Sequence, residues 1–328
     1  MILAIETSCD ETCAAVATSD GRLLSSIVAS QVADHAAFGG VVPEIASRRH
    51  LDLVGTVVAE AIAVAGIAEA SIARVAVTAG PGLIGALLVG VSFAKGYAYA
   101  RGLPLIAIDH LHGHVASLAL AEEPPAGAHL VLLASGGHTL LIDVAADGTY
   151  TTIARSMDDA AGEAFDKGAR LLGLGYPGGP ALAELATHGS TARRSFTTPL
   201  AGRDDLAFSF SGLKTALSLA VQRLAAGDEQ GRADLAAAYQ EAIVDHLVER
   251  ASLGLRQTGR STLGLAGGVA ANGCLRARLE TVPARLVLAP LDVCGDNAAM
   301  IAMAALNRQA LDRGSFLRLD AYARSPLG

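Results

Sequence analysis

The chain has 328 residues, 52% apolar and 17% charged, which is too apolar for disorder and long enough for about two ordinary domains. Aromatic residues are only 4% and Trp is absent, while 36 Gly and 11 Pro leave the cores to Ala, Val, Leu and Ile around close backbone approaches, as suits an α/β enzyme. A formal charge of −7 excludes a protein that grips nucleic acid through an overall positive field, leaving only local basic patches.

Residues 1–6 carry no basic leader and reach a carboxylate before a signal-like apolar core is complete, so export is not expected. The four cysteines, Cys9, Cys13, Cys274 and Cys294, are too few for a disulfide framework and form no C-x-x-C pair, which points to a reducing cytoplasm. The first element is a strand, followed by the turn Thr7-Ser8-Cys9-Asp10-Glu11-Thr12, a return strand over 14–17 and the turn Ser19-Asp20-Gly21. The uncharged run 75–94 has the length of a membrane span. Gly80-Pro81-Gly82 divides it into a strand and a helix too short to cross, so no membrane association is expected.

A further strand over 105–108 ends at Asp109, which can cap a helix carrying His110 and His114. Imidazoles at i and i+4 share one face and form half of a metal site; the alternative is a histidine-rich helix start exposed to solvent. Next come a strand over 130–134, the turn Ser135-Gly136-Gly137-His138-Thr139, a return strand over 140–144 and the turn Ala146-Asp147-Gly148. This repeats the grammar of residues 1–21, so each hairpin opens one half of a duplicated protein.

Residues 156–167 crowd four carboxylates onto a helix start. Dipole compensation explains Asp158 and Asp159 but not Asp166, which can accept hydrogen bonds from a ribose. The turn Tyr176-Pro177-Gly178-Gly179-Pro180 lets a ligand approach the backbone. A helix over 234–250 presents Leu235, Tyr239, Ile243 and Leu247 as an apolar stripe, with His246 at its margin in a structural role. The strand that ends in Gly267-Gly268 and opens a helix near Asn272 matches the one ending at Gly80-Pro81-Gly82; such turns seat phosphate on backbone N–H groups. Asp296 stands just before a final apolar helix and is either a third metal ligand or a simple N-cap.

These motifs, with Phe38-Gly39-Gly40-Val41-Val42-Pro43-Glu44-Ile45-Ala46-Ser47-Arg48 and Phe208-Ser209-Phe210-Ser211-Gly212-Leu213-Lys214-Thr215, resemble in order the TsaD family over residues 1–305. That family comprises the tRNA N6-adenosine threonylcarbamoyltransferases, once regarded as glycoproteases. The resemblance implies an α/β fold of the actin/Hsp70/sugar-kinase (ASKHA) type, two duplicated ribonuclease H-like lobes with a nucleotide cleft between them. The expected divisions are 1–125, 126–305 and a tail, 306–328, packing back on the first lobe.

It implies transfer of threonylcarbamoyl from threonylcarbamoyl-adenylate to N6 of adenosine 37 in tRNAs reading codons that start with adenine, releasing AMP. By matching motif, His110, His114 and Asp296 would bind one divalent metal ion, Fe(2+) or alternatively Zn(2+). Leu133, Ala134, Ser135, Gly136, Gly137, Asp166, Gly179 and Asn272 would hold the adenylate, and the catalytic carboxylates Asp10 and Glu11 would approach the phosphate or metal. The implied partners are tRNA, a TsaB-like paralogue and a TsaE-like ATPase, with a TsaC-like enzyme supplying the adenylate. The chain departs from the family pattern at His112, at Gly295 and at Ala183, where an acidic ribose contact is replaced and Glu184 is adjacent.

Competing readings are an ATPase or kinase on the same fold, disfavoured by the paired histidines because such enzymes use oxygen-ligated magnesium, and a metalloprotease, which lacks its base because Leu111 follows the first histidine. A non-catalytic paralogue would be expected to lose the His pair, which is present. Cations for RNA are sought at Arg48-Arg49, Arg193-Arg194 and Arg276/Arg278.

Overall fold

The computed structural model describes residues 1–325 and 327. It contains two compact units, Met1–Leu120 with Gly295–Leu327, and Ala121–Cys294.

The first unit opens with β1 (Ile2–Glu6), β2 (Glu11–Ala17) and β3 (Leu23–Ser30), an antiparallel meander. After a short α1 (Val32–Ala36) and a long α2 (Pro43–Val64) come β4 (Arg74–Gly80), α3 (Ile84–Arg101), β5 (Leu105–Asp109) and α4 (His110–Ala116). The sheet order is β3-β2-β1-β4-β5, with β4 parallel to both β1 and β5. β1 is buried throughout, which is why its sequence reads as a continuous apolar run rather than an alternation. The uncharged run divides into β4 and α3 as expected, and among the described residues no helix is long and apolar enough to cross a membrane.

The second unit repeats this plan with β6 (His129–Ala134), β7 (Thr139–Val144) and β8 (Tyr150–Arg155), again an antiparallel meander. Four helices follow, α5 (Ala161–Leu171), α6 (Gly178–Thr187), α7 (Ser211–Val221) and α8 (Glu229–Thr258), then β9 (Thr262–Ala266), α9 (Gly273–Leu279) and β10 (Arg285–Leu288). The order β10-β9-β6-β7-β8 is the same arrangement, with β9 parallel to β6 and β10. The predicted stripe Leu235, Tyr239, Ile243 and Leu247 is buried along α8.

The chain then returns to the first unit with α10 (Ala298–Ala305) and α11 (Arg313–Arg318). This corrects the expected division, which placed residues 295–305 in the second lobe. The physical reason is that α10 is buried on nearly every side, packing on α4, β1 and β2. A Cβ on Gly113 of α4 would stand 2.7 Å from Ile301 Cδ1, so the glycine is what lets α10 lie so close. A second correction concerns the first turn: Glu11 and Thr12 belong to β2, which starts earlier than the predicted return strand.

Candidate active site

Asp109 ends β5 and its Oδ1 accepts from the amides of Leu111 at 2.9 Å and His112 at 3.3 Å, which starts α4 where predicted. His110 and His114 therefore share one face of α4 with both rings buried, which excludes the solvent-exposed alternative. Asp296 is not the cap of α10. Asn297 takes that role, its Oδ1 accepting from Met300 N at 2.9 Å, and the Asp296 carboxylate is left to face the imidazoles. Its Oδ1 lies 3.4 Å from His110 Nε2 and 3.3 Å from His114 Nε2, and one ligand atom from each residue falls within 4.8 Å of the others.

These spacings fit a metal ion. Ligand atoms about 2.1 Å from a tetrahedral centre stand about 3.4 Å apart. Both ring nitrogens of His114 are buried without a well-aligned hydrogen bond, Nε2 having only Asp296 Oδ1 at 3.3 Å, and ligation through Nε2 would relieve the cost at that nitrogen. Two imidazoles and one carboxylate suit Fe(II) or Zn(II) and leave coordination positions open.

A residue that sequence reasoning did not assign supports this group. Glu6, fully buried at the end of β1, accepts from Thr78 Oγ1 at 2.6 Å, from Ser8 N and from His110 Nδ1 at 3.0 Å. A carboxylate on the remote nitrogen fixes the imidazole tautomer so that Nε2 faces the ligand point. The signal was available as a lone charge closing an apolar strand. Burial opposes protonation of His110, but Asp296 and Glu6 outweigh it and raise its pKa, whereas burial lowers that of His114.

Asp10 and Glu11 are not among the three clustered ligands. Their loop is anchored by buried His50, whose Nε2 donates to Cys9 O at 2.9 Å while Nδ1 meets Thr12 Oγ1 at 2.8 Å. Glu11 accepts from Ser30 Oγ at 2.8 Å with its other oxygen buried and unpartnered, and burial pushes its carboxyl up to about 7.

In the second unit a cavity of about 400 Å³ is lined by Gly136, Asp166, Gly179 and Asn272 among the expected substrate residues. Leu133 and Ala134 are fully buried in β6, and Ser135 Oγ is taken by the His138 backbone. These three, with Gly137, are not part of the lining, so only the backbone of their turn is available to a ligand. Phe165 and Gly162, which were not predicted, do line it. A Cβ on Gly162 would stand 2.5 Å from Ser135 O, so α5 can meet that turn only through glycine. Asp166 Oδ1 accepts from Gly178 N at 3.0 Å and Gly179 N at 3.1 Å, closing the start of α6. Ala183 lines the cavity, whereas the neighbouring Glu184 side chain is 79% exposed and leans toward His188, so it does not replace the missing acidic group.

Asp158 does not compensate α5. It accepts from Ser209 Oγ at 2.6 Å, Phe210 N at 2.7 Å and Ser211 Oγ at 2.7 Å, pinning the start of α7. His246 accepts from Ser209 N at 3.1 Å, the structural role expected of it. Of the arginine pairs, Arg48 and Arg49 are engaged by Glu44 and Asp34. Arg276 donates to Ala270 O and Ala289 O, and Arg278 pairs with Glu241 and Asp245. Arg193 and Arg194 line an open hollow, Arg193 being 71% exposed and 3.8 Å from Asp234.

The family model of TsaD, described as tRNA N6-adenosine threonylcarbamoyltransferase, matches residues 22–303. A protein of that name from Anaeromyxobacter dehalogenans is 50% identical over 318 residues, covering 95% of each chain. Another from Desulforapulum autotrophicum is 45% identical over 325 residues, 98% of this chain and 97% of the relative. Among solved structures, HypF from T. kodakarensis matches with TM-score 0.62 at 15% identity over 93% of this chain and 47% of its own. Component A of (R)-2-hydroxyglutaryl-CoA dehydratase from Acidaminococcus fermentans matches with TM-score 0.54 at 17% identity over 93% of this chain and 96% of its own. At such identities these two speak for the fold alone, the actin/Hsp70/sugar-kinase type that the repeated sheet plan displays. By its near full-length match to curated members, the chain belongs to the TsaD family and is a transferase.

Proposed function

We propose that this protein moves the threonylcarbamoyl group from threonylcarbamoyl-adenylate to N6 of adenosine 37 in tRNAs that read codons beginning with adenine. The observation that carries the reading is the meeting of His110, His114 and Asp296 at one point in a chain of this family. The bond formed joins N6 to the carbamoyl carbon. The bond broken joins that carbon to the phosphate oxygen, and AMP leaves while N6 gives up one proton. An exocyclic adenine amine is a poor nucleophile, so the mixed anhydride supplies the activation and the protein supplies position.

In this reading the cavity of the second unit holds the adenylate, with Asp166 toward the ribose and the turn at Gly136 toward the phosphate. His110 Nε2, His114 Nε2 and Asp296 would hold a ferrous ion, or zinc, which supplies Lewis-acid stabilisation of developing negative charge. Asp10 and Glu11 are the catalytic carboxylates. A carboxyl pushed up to about 7 is suited to accept the amine proton near neutral pH, and Glu11 takes that part. No covalent enzyme intermediate is involved. Burial, with Asp10 and Asp296 nearby, drives the Cys9 thiol far above its usual range, and Ser135 Oγ is held by backbone.

The working partners are a TsaB-like paralogue and a TsaE-like ATPase in the cytoplasm, with the donor made by a TsaC-like enzyme. The test is reconstitution with threonylcarbamoyl-adenylate and unmodified tRNA, with and without these partners. Modified nucleoside and AMP should appear in equal amounts and His110→Ala should abolish both. Product formation undiminished in that variant, or conversion of labelled ATP into a phosphorylated small molecule instead, would overturn the reading.

A further inference from the structure

The helix that carries both histidines is only seven residues long, too short to hold its own position, so its orientation must come from what grips it. One grip is Asp109. Its Oδ1 is spent on the first-turn amides of Leu111 and His112. Its Oδ2 accepts from Tyr322 OH at 3.0 Å and from Ser325 Oγ at 2.7 Å, two side chains more than two hundred residues later. Both Asp109 and Ser325 are buried, so these bonds are shielded from solvent.

The C-terminal segment reaches this point along a defined path. Lys95 Nζ donates to Leu317 O at 2.9 Å and to Leu319 O at 3.1 Å, and Phe316 is buried in the core of the first unit. Tyr322 N then donates to Ala79 O at 2.9 Å at the end of β4. A Cβ on Gly80 would lie 2.1 Å from Tyr322 O, so the glycine at that strand end is also the seat of the tail. The phenol and hydroxyl fix the Asp109 carboxylate from outside while the carboxylate fixes the helix from inside.

We propose that Tyr322 and Ser325 are positioning residues for the metal centre, acting through Asp109 to hold α4 so that His110 and His114 converge on Asp296. This rests on the metal reading of that cluster and extends it to a segment outside the matched region 22–303. The tail touches no reacting atom in this account; it sets the angle at which two ligands are presented.

The test compares the full chain with Tyr322→Phe, Ser325→Ala and the double variant. Three quantities are read: zinc affinity by chelator competition, amide exchange at Leu111 and His112, and AMP binding to the second unit. The double variant should lose about tenfold in zinc affinity and exchange those two amides about tenfold faster, with AMP binding unchanged. Exchange at Leu111 and His112 as slow as in the parent would overturn the proposal, as would zinc affinity within twofold of the parent despite faster exchange. So would a parallel loss of AMP binding, which marks general unfolding. Tyr322→Phe alone, which keeps the ring against Gly80, should give a partial effect in the same direction. If the parent itself takes up no zinc, the metal reading fails separately and the positioning claim falls with it, while the exchange arm still reports whether the tail grips α4.

Discussion

Burying a carboxylate in a sheet costs several kcal/mol unless hydrogen bonds and a charge partner offset it, and Glu6 has three donors around it. The same group sets which nitrogen of His110 points at the ligand site. Glu6→Gln keeps the volume but removes the charge that holds the Nδ1 proton, so divalent-metal affinity should fall 10–100-fold, roughly the range for such supporting carboxylates, in a chelator competition. Circular dichroism should stay unchanged.

Glu11 carries a different prediction, because its carboxyl is raised to about 7. In its proposed role as proton acceptor it must be ionised, so the transfer rate should climb as pH rises through about 7 and level off above it. In Glu11→Gln the climb should vanish along with most of the rate. A single-turnover pH profile unchanged in shape by the substitution would remove Glu11 from the chemistry.

At the level of elements, the segment 208–211 is held from both sides by Asp158 and by His246 of α8, and it opens α7. His246 accepts a backbone amide and is pressed edge-on against Phe208 and Phe210. Burial lowers its pKa to about 4 from an ordinary value of 6.5. A folded-state pKa below the unfolded one means that the unfolded chain binds the proton first, so stability is full above about 6.5 and is lost as pH falls toward 4. The loss should be on the order of 3 kcal/mol. His246→Gln, which does not titrate, should flatten denaturant midpoints over that window.

Much of this level was legible locally. The α8 stripe, the Asp109 cap and the divided run at Gly80 each follow from a few adjacent residues. Two adjacent polar residues, Asp296 and Asn297, could not be ranked as cap or ligand from the sequence, since each side chain can fill the cap position. The partner of Asp158 lies fifty residues downstream, and no local pattern encodes that pairing.

For the molecule as a whole, the duplication was readable because each half repeats a hairpin grammar, and the two sheets share one strand order. The return of α10 to the first unit was not. Contiguity in sequence favoured the second lobe, and the decision rests on packing with α4, β1 and β2, which only the folded chain displays. Binding an RNA with a chain of net charge −7 requires a local cluster of cations. Arg193 and Arg194 are the pair facing an open hollow, whereas Arg276 and Arg278 serve the fold. Reversing exposed Arg193 and half-buried Arg194 to Glu should weaken tRNA binding uniformly across sequences and flatten the salt dependence by about one unit of log–log slope for each phosphate no longer neutralised. An unaltered slope would clear that surface of any role.

The most direct measurement for the central claim is anomalous diffraction from crystals of the protein grown with iron or zinc. A single strong peak bonded at about 2.0–2.2 Å to His110 Nε2, His114 Nε2 and an Asp296 oxygen is the predicted result. Density for the ion elsewhere, or three side chains in place with no ion among them at saturating metal, would contradict the account.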